Sequence, residues 1–287
     1  MTVRLATHPE VAHRTAEVVN LLVAAGVDVE SAGDGTDLEL GISDALKGVR
    51  ESTHDLALVD IRALRGSAAE DLTTVAVLPQ AESRDVLVTI SGDPTPLTEL
   101  ASGARVGLAG ARCMAFLRAH RPDLEAVLLD RDVLRSLRKD EAVDPSLDVA
   151  IMSAIEARQA GFGDRAVESL DPKAWLPEPG QGAIAIVARH PIAEATALDH
   201  IPTRTALRTE LALLDALDAE DDAPLGCLTR LSGRWIRLWA TAVSDDGCRL
   251  VRSDRTGPLD EPEALGSVVA RELEARGIEL IMTGVGK

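Results

Sequence analysis

The sequence predicts an α/β protein that closes on a small α+β portion, and three observations carry that prediction. Short apolar runs alternate with amphipathic helical stretches from Val3 to Ile90, the pattern of strand–helix repeats in a mainly parallel sheet. After the cluster Gly92-Asp93-Pro94-Thr95-Pro96, a breaker-rich linker signal, the alternation restarts. From Thr203 onward the order changes to a helix, a pair of strands and a last amphipathic helix.

Taken in order, Val3 to Thr7 reads as a strand, and Pro9 sits where the first turn of a helix tolerates it. Val11, Val18, Leu22 and Ala25 mark one face of that helix, which Gly26 closes. A second strand follows at Val27 to Glu30, then a loop at Gly33 to Asp37 and a helix over Leu38 to Arg50. Asp55 to Ile61, Thr74 to Leu78 and Val86 to Ile90 read as strands. Beyond the linker, Arg105 to Leu108 is a strand and Gly110 to His120 a helix ended before Pro122. Ala126 to Leu129 and Val149 to Met152 are strands, with a helical turn or two at Val133 to Lys139. The turn Gly107-Leu108-Ala109-Gly110-Ala111-Arg112 reads either as an ordinary tight turn or as an anion site at a helix N-terminus.

Trp175 to Pro191 is the clearest stretch. Pro177 and Pro179 stop what precedes, and Gly180 and Gly182 flank Gln181 in a turn open to positive φ. The apolar run Ala183 to Ala188 then suits a strand buried on both faces. In the last portion Ala206, Leu213, Leu214 and Leu217 form a helical face, and Trp235 to Val243 with Cys248 to Ser253 an antiparallel pair. Leu265, Val268, Val269 and Leu273 mark the final helix.

Composition narrows the function. The chain has 287 residues, room for two or three domains. A net charge of −17 argues against nucleic-acid and anionic-membrane partners. Aromatic residues are 2% of the chain, with no Tyr, so base-stacking platforms are not expected either. Cys113, Cys227 and Cys248 are too scattered for a disulfide framework, and the histidines have no metal-ligand spacing. MTVRLATHPEVAHRT lacks the apolar stretch of a secretory leader, and no run reaches membrane-spanning length; cytoplasm is the expected location.

LPEPGQGAIAI, Leu176 to Ile186, resembles the LPAxGQGAxxIE segment of the porphobilinogen deaminase (hydroxymethylbilane synthase) family. VRLATHPEVAHRTAEVV is similar to that family's opening strand and helix, and ESRDVLV to its DPRDAxV segment through Arg84 and Asp85. TRTALRTELALLDAL resembles its TR…AER…LL helix, and Ala223 to Gly226 its small-Pro-x-Gly turn. The resemblance implies two periplasmic-binding-protein-like α/β domains plus a small C-terminal α+β domain. On that plan residues 1–93 with 182–199 form the first, 97–181 the second and 203–287 the third. It also implies chemistry: porphobilinogen units joined head to tail with release of ammonia, on a dipyrromethane cofactor tethered by a thioether to one Cys. One Asp handles charge at the pyrrole nitrogens, while Arg, Lys and Ser side chains hold the substrate carboxylates.

The sequence departs from that pattern where the chemistry lies. The family HSxKD segment reads Asp60-Ile61-Arg62-Ala63 after Val59, which puts Ala63 at the catalytic Asp. A gapless match puts Asp221 at the cofactor Cys; Cys227 follows beyond the turn and reads as a buried small residue. No dipyrromethane is therefore expected, since holding it would require Cys227. The family's first Arg and Ser become His8 and Glu10, and its lysines fall among Asp34, Gly35, Asp37, Glu39 and Leu40. Of its paired arginines Arg112 remains beside Cys113. Both arginine positions of RGNxxTR are lost in Asp130 to Ser136, with Arg131, Arg135 and Arg158 one position from lost ones.

The expected function is accordingly a divergent family member that does not polymerise porphobilinogen, binding or transforming another small molecule between domains one and two. The wall of that pocket is expected at Gly107 to Arg112, with Arg112, Arg62, Asp60, His8 and Asp221 as its polar groups. Asp60 and Arg62 share strand parity and could pair. The alternatives are a non-catalytic regulatory or partner-binding homologue, and a working hydroxymethylbilane synthase using Cys227 as its anchor.

Overall fold

The computed structural model describes residues 2–7, 9–32, 42–65, 71–91, 93–130, 146–162, 166–220 and 222–282. From the N-terminus these form β1 (Thr2–Thr7), α1 (Thr15–Ala24), β2 (Asp28–Ala32), α2 (Ile42–Arg50), β3 (Leu56–Asp60), β4 (Thr73–Val77) and β5 (Asp85–Thr89). Next come β6 (Arg105–Leu108), α3 (Gly110–His120), β7 (Glu125–Leu128), β8 (Val149–Ser153), α4 (Ala154–Gln159), β9 (Ala166–Ser169) and β10 (Ile184–Ala188). The chain ends with α5 (Ala193–Thr196), α6 (Ile201–Ala216), β11 (Leu225–Ser232), β12 (Trp235–Val243), β13 (Leu250–Pro258), α7 (Pro262–Ala275) and α8 (Glu279–Met282). Two compact units result, Met1–Ala81 with Gly182–Arg204, and Glu82–Gln181 with Thr205–Lys287.

The first unit is built on a five-stranded sheet in the order β2-β1-β3-β10-β4. β1 pairs in parallel with β2 and β3, while β10 runs antiparallel between β3 and β4. Its strands read as apolar runs because helices cover them: LALVD of β3 and IAIVA of β10 are buried at every position. Val18 and Leu22 of α1 pack with Val3, Leu5, Leu58 and Ile186 in one core. Each such side chain contributes about 1.5–3 kcal/mol by leaving water.

The second unit repeats the device in the order β7-β6-β8-β5-β9, with β6 parallel to β7 and β8 and β5 antiparallel between β8 and β9. Phe116 and Leu117 of α3 lie against Leu87, Leu108, Ile151 and Trp175. The same unit holds a three-stranded antiparallel sheet, β11-β12-β13. Leu213 of α6 and Val269 and Leu273 of α7 cover one face of it, against Leu225, Ile236 and Leu238.

The fold class is the expected one, α/β with a small antiparallel sheet and its helices. Three local expectations change. The two large sheets are mixed, because β10 and β5 run against their neighbours, and a strand buried on both faces carries no mark of its direction. Val86 to Thr89, read with residues 1–93, lies in the second sheet between β8 and β9: its apolar run fits either core equally well. β11 carries no clear strand pattern in the sequence, since Pro224 and Gly226 obscure it; Gly226 is there because a Cβ would meet the Leu176 carbonyl at 2.6 Å. The loop at Gly33 to Asp37 and the helical turns at Val133 to Lys139 lie outside the described residues.

Candidate functional site

The most elaborate polar construction among the described residues is buried in the second unit. Asp85 opens β5 at 2% exposure and accepts three hydrogen bonds. Arg112 Nη2 donates to its Oδ2 at 2.7 Å, Trp175 Nε1 to the same oxygen at 2.9 Å, and Gln181 Nε2 to Oδ1 at 2.7 Å. Gln181 also donates to the Ser83 carbonyl at 2.8 Å, and its Oε1 accepts the Glu178 N–H at 3.1 Å. Gly180 and Gly182 have φ of 76° and 78°, which lets the chain turn tightly enough to put Gln181 inside. Arg112 gives its other terminal nitrogen to the Leu176 carbonyl at 2.8 Å. Burial opposes its charge, but Asp85, Cys113 and Glu178 outweigh that, so the guanidinium is held above its ordinary range.

Arg112 therefore does not lie as expected. It is 3% exposed and committed to Asp85 and Leu176, so the glycine turn at Gly107 to Arg112 directs it into the core network rather than toward an anion. Gly110 takes the positive φ of 81° that starts α3. The residues that hold the network, Asp85, Trp175 and Gln181, were missed as a group because they are 6 to 96 positions apart from one another in pairs that show no periodicity; the one signal was a Gln flanked by glycines.

A second buried group lies beside the same turn. Glu210 of α6 is 5% exposed, accepting the Gly180 N–H at 2.8 Å on one oxygen and the Thr229 N–H at 3.1 Å on the other. Burial pushes its carboxyl up to about 7, against the lowering pull of those two N–H groups and of Arg230. Cys227, in the middle of β11, is fully buried; burial, and then the charge of Glu210, push its thiol well above the ordinary range. This agrees with its reading as a small core residue. A concavity of about 460 Å³ elsewhere in this unit is rimmed by Asp218, Glu220, Asp222, Asp245, Glu274 and Glu279, which would repel a carboxylate ligand.

In the first unit, β3 ends on Asp60, which caps the short 3₁₀ turn Ile61–Leu64 by accepting the Arg62 N–H at 2.9 Å. Arg62 closes a two-toothed pair with it, Nε to Oδ1 at 2.9 Å and Nη2 to Oδ2 at 2.8 Å. The expected pairing of Asp60 with Arg62 is thus present, made by the turn rather than by strand parity. Ala63 follows, partly exposed in the same turn. His8, Asp221, Arg131 and Arg135 lie outside the described residues, and Arg158 is exposed. No three His, Cys, Asp or Glu side chains come together as a metal site among the described residues, and no helix there is long and apolar enough to cross a membrane.

Comparison with known proteins gives these sites a family context. The family model described as porphobilinogen deaminase, dipyromethane cofactor binding domain, matches residues 43–197. The porphobilinogen deaminase of Desulforudis audaxviator is 34% identical over 236 residues, 80% of this chain and 75% of that protein. The one from Roseiflexus castenholzii is 31% identical over 252 residues, 86% and 82% of the two chains. Among solved structures, a periplasmic substrate-binding protein of an ABC transporter from Coxiella burnetii shares 16% identity at a TM-score of 0.45, over 68% of this chain and 89% of its own.

The match to a cofactor-binding domain corrects the expectation that the chain has no dipyrromethane: the segment it covers is the one named for that group. Among the described residues Cys113 and Cys227 are buried, and Cys248 is exposed on the β12–β13 connection. With a family model spanning more than half of its length and curated relatives above 30% identity over most of it, the chain belongs to the porphobilinogen deaminase family.

Proposed function

We propose that this chain is a divergent member of the family that does not polymerise porphobilinogen, and that its cleft serves a different small molecule. The reading treats residues 203–287 as a domain of their own. The observation that carries it is the corner at the end of β3. Ala63 occupies the position that the family motif gives to its catalytic carboxylate. A methyl group neither accepts a proton nor stabilises a cationic pyrrole, and a positioned acid or base is typically worth 10²–10⁴ in rate. The adjacent carboxylate in the same turn, Asp60, has both oxygens on Arg62 and one on the turn's own N–H, so it is held rather than offered.

That pair also changes what the corner can bind. An arginine neutralised by its own Asp at 2.8 Å attracts a substrate carboxylate less than an isolated cation does. Arg112, the other inherited cation, is spent on Asp85. The corner supports a ligand less acidic than porphobilinogen.

A second reading, a working hydroxymethylbilane synthase of tetrapyrrole biosynthesis, is favoured by the match to the cofactor-binding domain and by the names of the relatives. Complementation separates the two. A bacterial strain deleted for its own synthase and carrying this chain is expected to grow only when supplied with tetrapyrrole, and growth without that supply would overturn the proposal.

A further inference from the structure

We infer that the concavity of about 460 Å³ in the second unit is a binding site for a linear aliphatic di- or polyammonium ion, whose methylene chain lies on an apolar floor while its ends meet carboxylates on the rim. All of its lining residues belong to the second unit, so the site is independent of the function proposed above. The floor is a by-product of core packing. Leu217 and Pro224 bracket the loop between α6 and β11, and Ile278, Ile281 and Met282 follow α7. Ile278 and Ile281 are buried in the core beneath the small sheet, and Met282 packs against it. A concavity of about 300–1,000 Å³ with an apolar lining is the usual form of a small-molecule site.

The rim selects the ligand. Its carboxylates come from three separate segments: Asp218, Glu220 and Asp222 on the loop after α6, Asp245 on the β12–β13 connection, and Glu274 and Glu279 on α7 and α8. No basic side chain lines the cavity among the described residues. Elsewhere in this unit arginines neutralise such groups, as Arg237 does Asp254 and Arg255 does Glu272. Asp218, Glu220, Asp222, Asp245 and Glu274 form no ion pair among the described residues. Arg118 of α3 does reach the β12–β13 connection, but it donates to the Asp245 carbonyl at 2.6 Å and not to the carboxylate. Like charges gathered around one cavity repel, and cations placed among them remove that cost. A single ammonium meets one segment of this rim. A chain with an amine at each end meets two, and its methylenes cover the floor as a lysine stem covers apolar surface.

Isothermal titration of the full chain with octamethylenediamine tests this, at an ionic strength of about 0.15 M, where exposed charges more than about 8 Å apart are largely screened. Trimethylenediamine, with the same two amines on a much shorter spacer, should bind at least about tenfold more weakly, because it covers less of the floor. Asp222→Asn with Glu274→Gln should weaken the longer diamine by about tenfold. Asp28→Asn with Glu51→Gln, which removes the same charge from the first unit, should change it by less than about twofold. Equal affinity for the two diamines, equal weakening by the two double variants, or no binding of the longer diamine at millimolar concentration would overturn the inference. If the cavity variant fails to fold, amide shift mapping on the native chain decides. Shifts centred on Leu217, Asp222, Asp245, Glu274 and Ile281 are expected, and shifts centred elsewhere would contradict the site.

Discussion

Asp85 accepts from Arg112, Trp175 and Gln181, and of the three only the arginine carries a charge to match its own. Removing the carboxylate leaves a guanidinium at 3% exposure without a counter-ion. Breaking such a buried pair from one side typically costs about 3–5 kcal/mol, whereas replacing both partners with apolar groups of similar size is often close to neutral. Asp85→Ala is therefore expected to lower the urea unfolding free energy by about that amount, with Asp85→Leu plus Arg112→Met recovering a large part of it. Equal losses in the single and double variants would show that the pair is not what the network depends on. The residue scale is also where the sequence was least informative. Arg112 resembled an anion holder because its helix N-terminus is visible in the sequence, but the carboxylate that captures it comes from 27 positions away. Glu210 was in principle detectable: it falls four positions after Ala206 and three before Leu213, on the apolar face of its own helix. A charged residue on such a face marks a buried contact.

Elements were more legible than residues, and the reason is periodicity. The apolar face of α1, the unbroken runs of β3 and β10 and the last amphipathic helix each repeat a local pattern that survives without knowledge of partners. Sheet membership and strand direction do not. β5 and β10 are inserted antiparallel into sheets formed mostly by other parts of the chain, a choice made by long-range pairing. Close approaches are equally silent in sequence until packing is known. Gly266 on α7 lets that helix lie against α6; a Cβ there would stand 2.5 Å from the Thr209 carbonyl and 2.8 Å from the Leu213 nitrogen, both backbone atoms that cannot swing aside. Gly266→Ala is predicted to destabilise by about 1–3 kcal/mol through overpacking, despite the better helix propensity of Ala. Chemical denaturation checks it, and a variant as stable as the native chain would mean that the two helices separate at little cost.

At the scale of the whole molecule, 47 acidic and 30 basic residues give the net charge of −17, and Arg62 and Arg112 are each paired with an Asp. A field of that sign disfavours a substrate carrying several carboxylates, apart from any loss of catalytic groups. The family plan was readable because its packing motifs persist in order from Val3 to Gly226, and packing motifs are what sequence periodicity and turn chemistry encode. The fold does not settle what the chain does with that plan. The decisive measurement is ammonia release by the purified protein from porphobilinogen, since one ammonia leaves for each unit joined. On the proposed reading of Ala63, no release is expected above that of the uncatalysed substrate, even when the protein has been loaded with dipyrromethane. Steady release with a linear tetrapyrrole as product would contradict it.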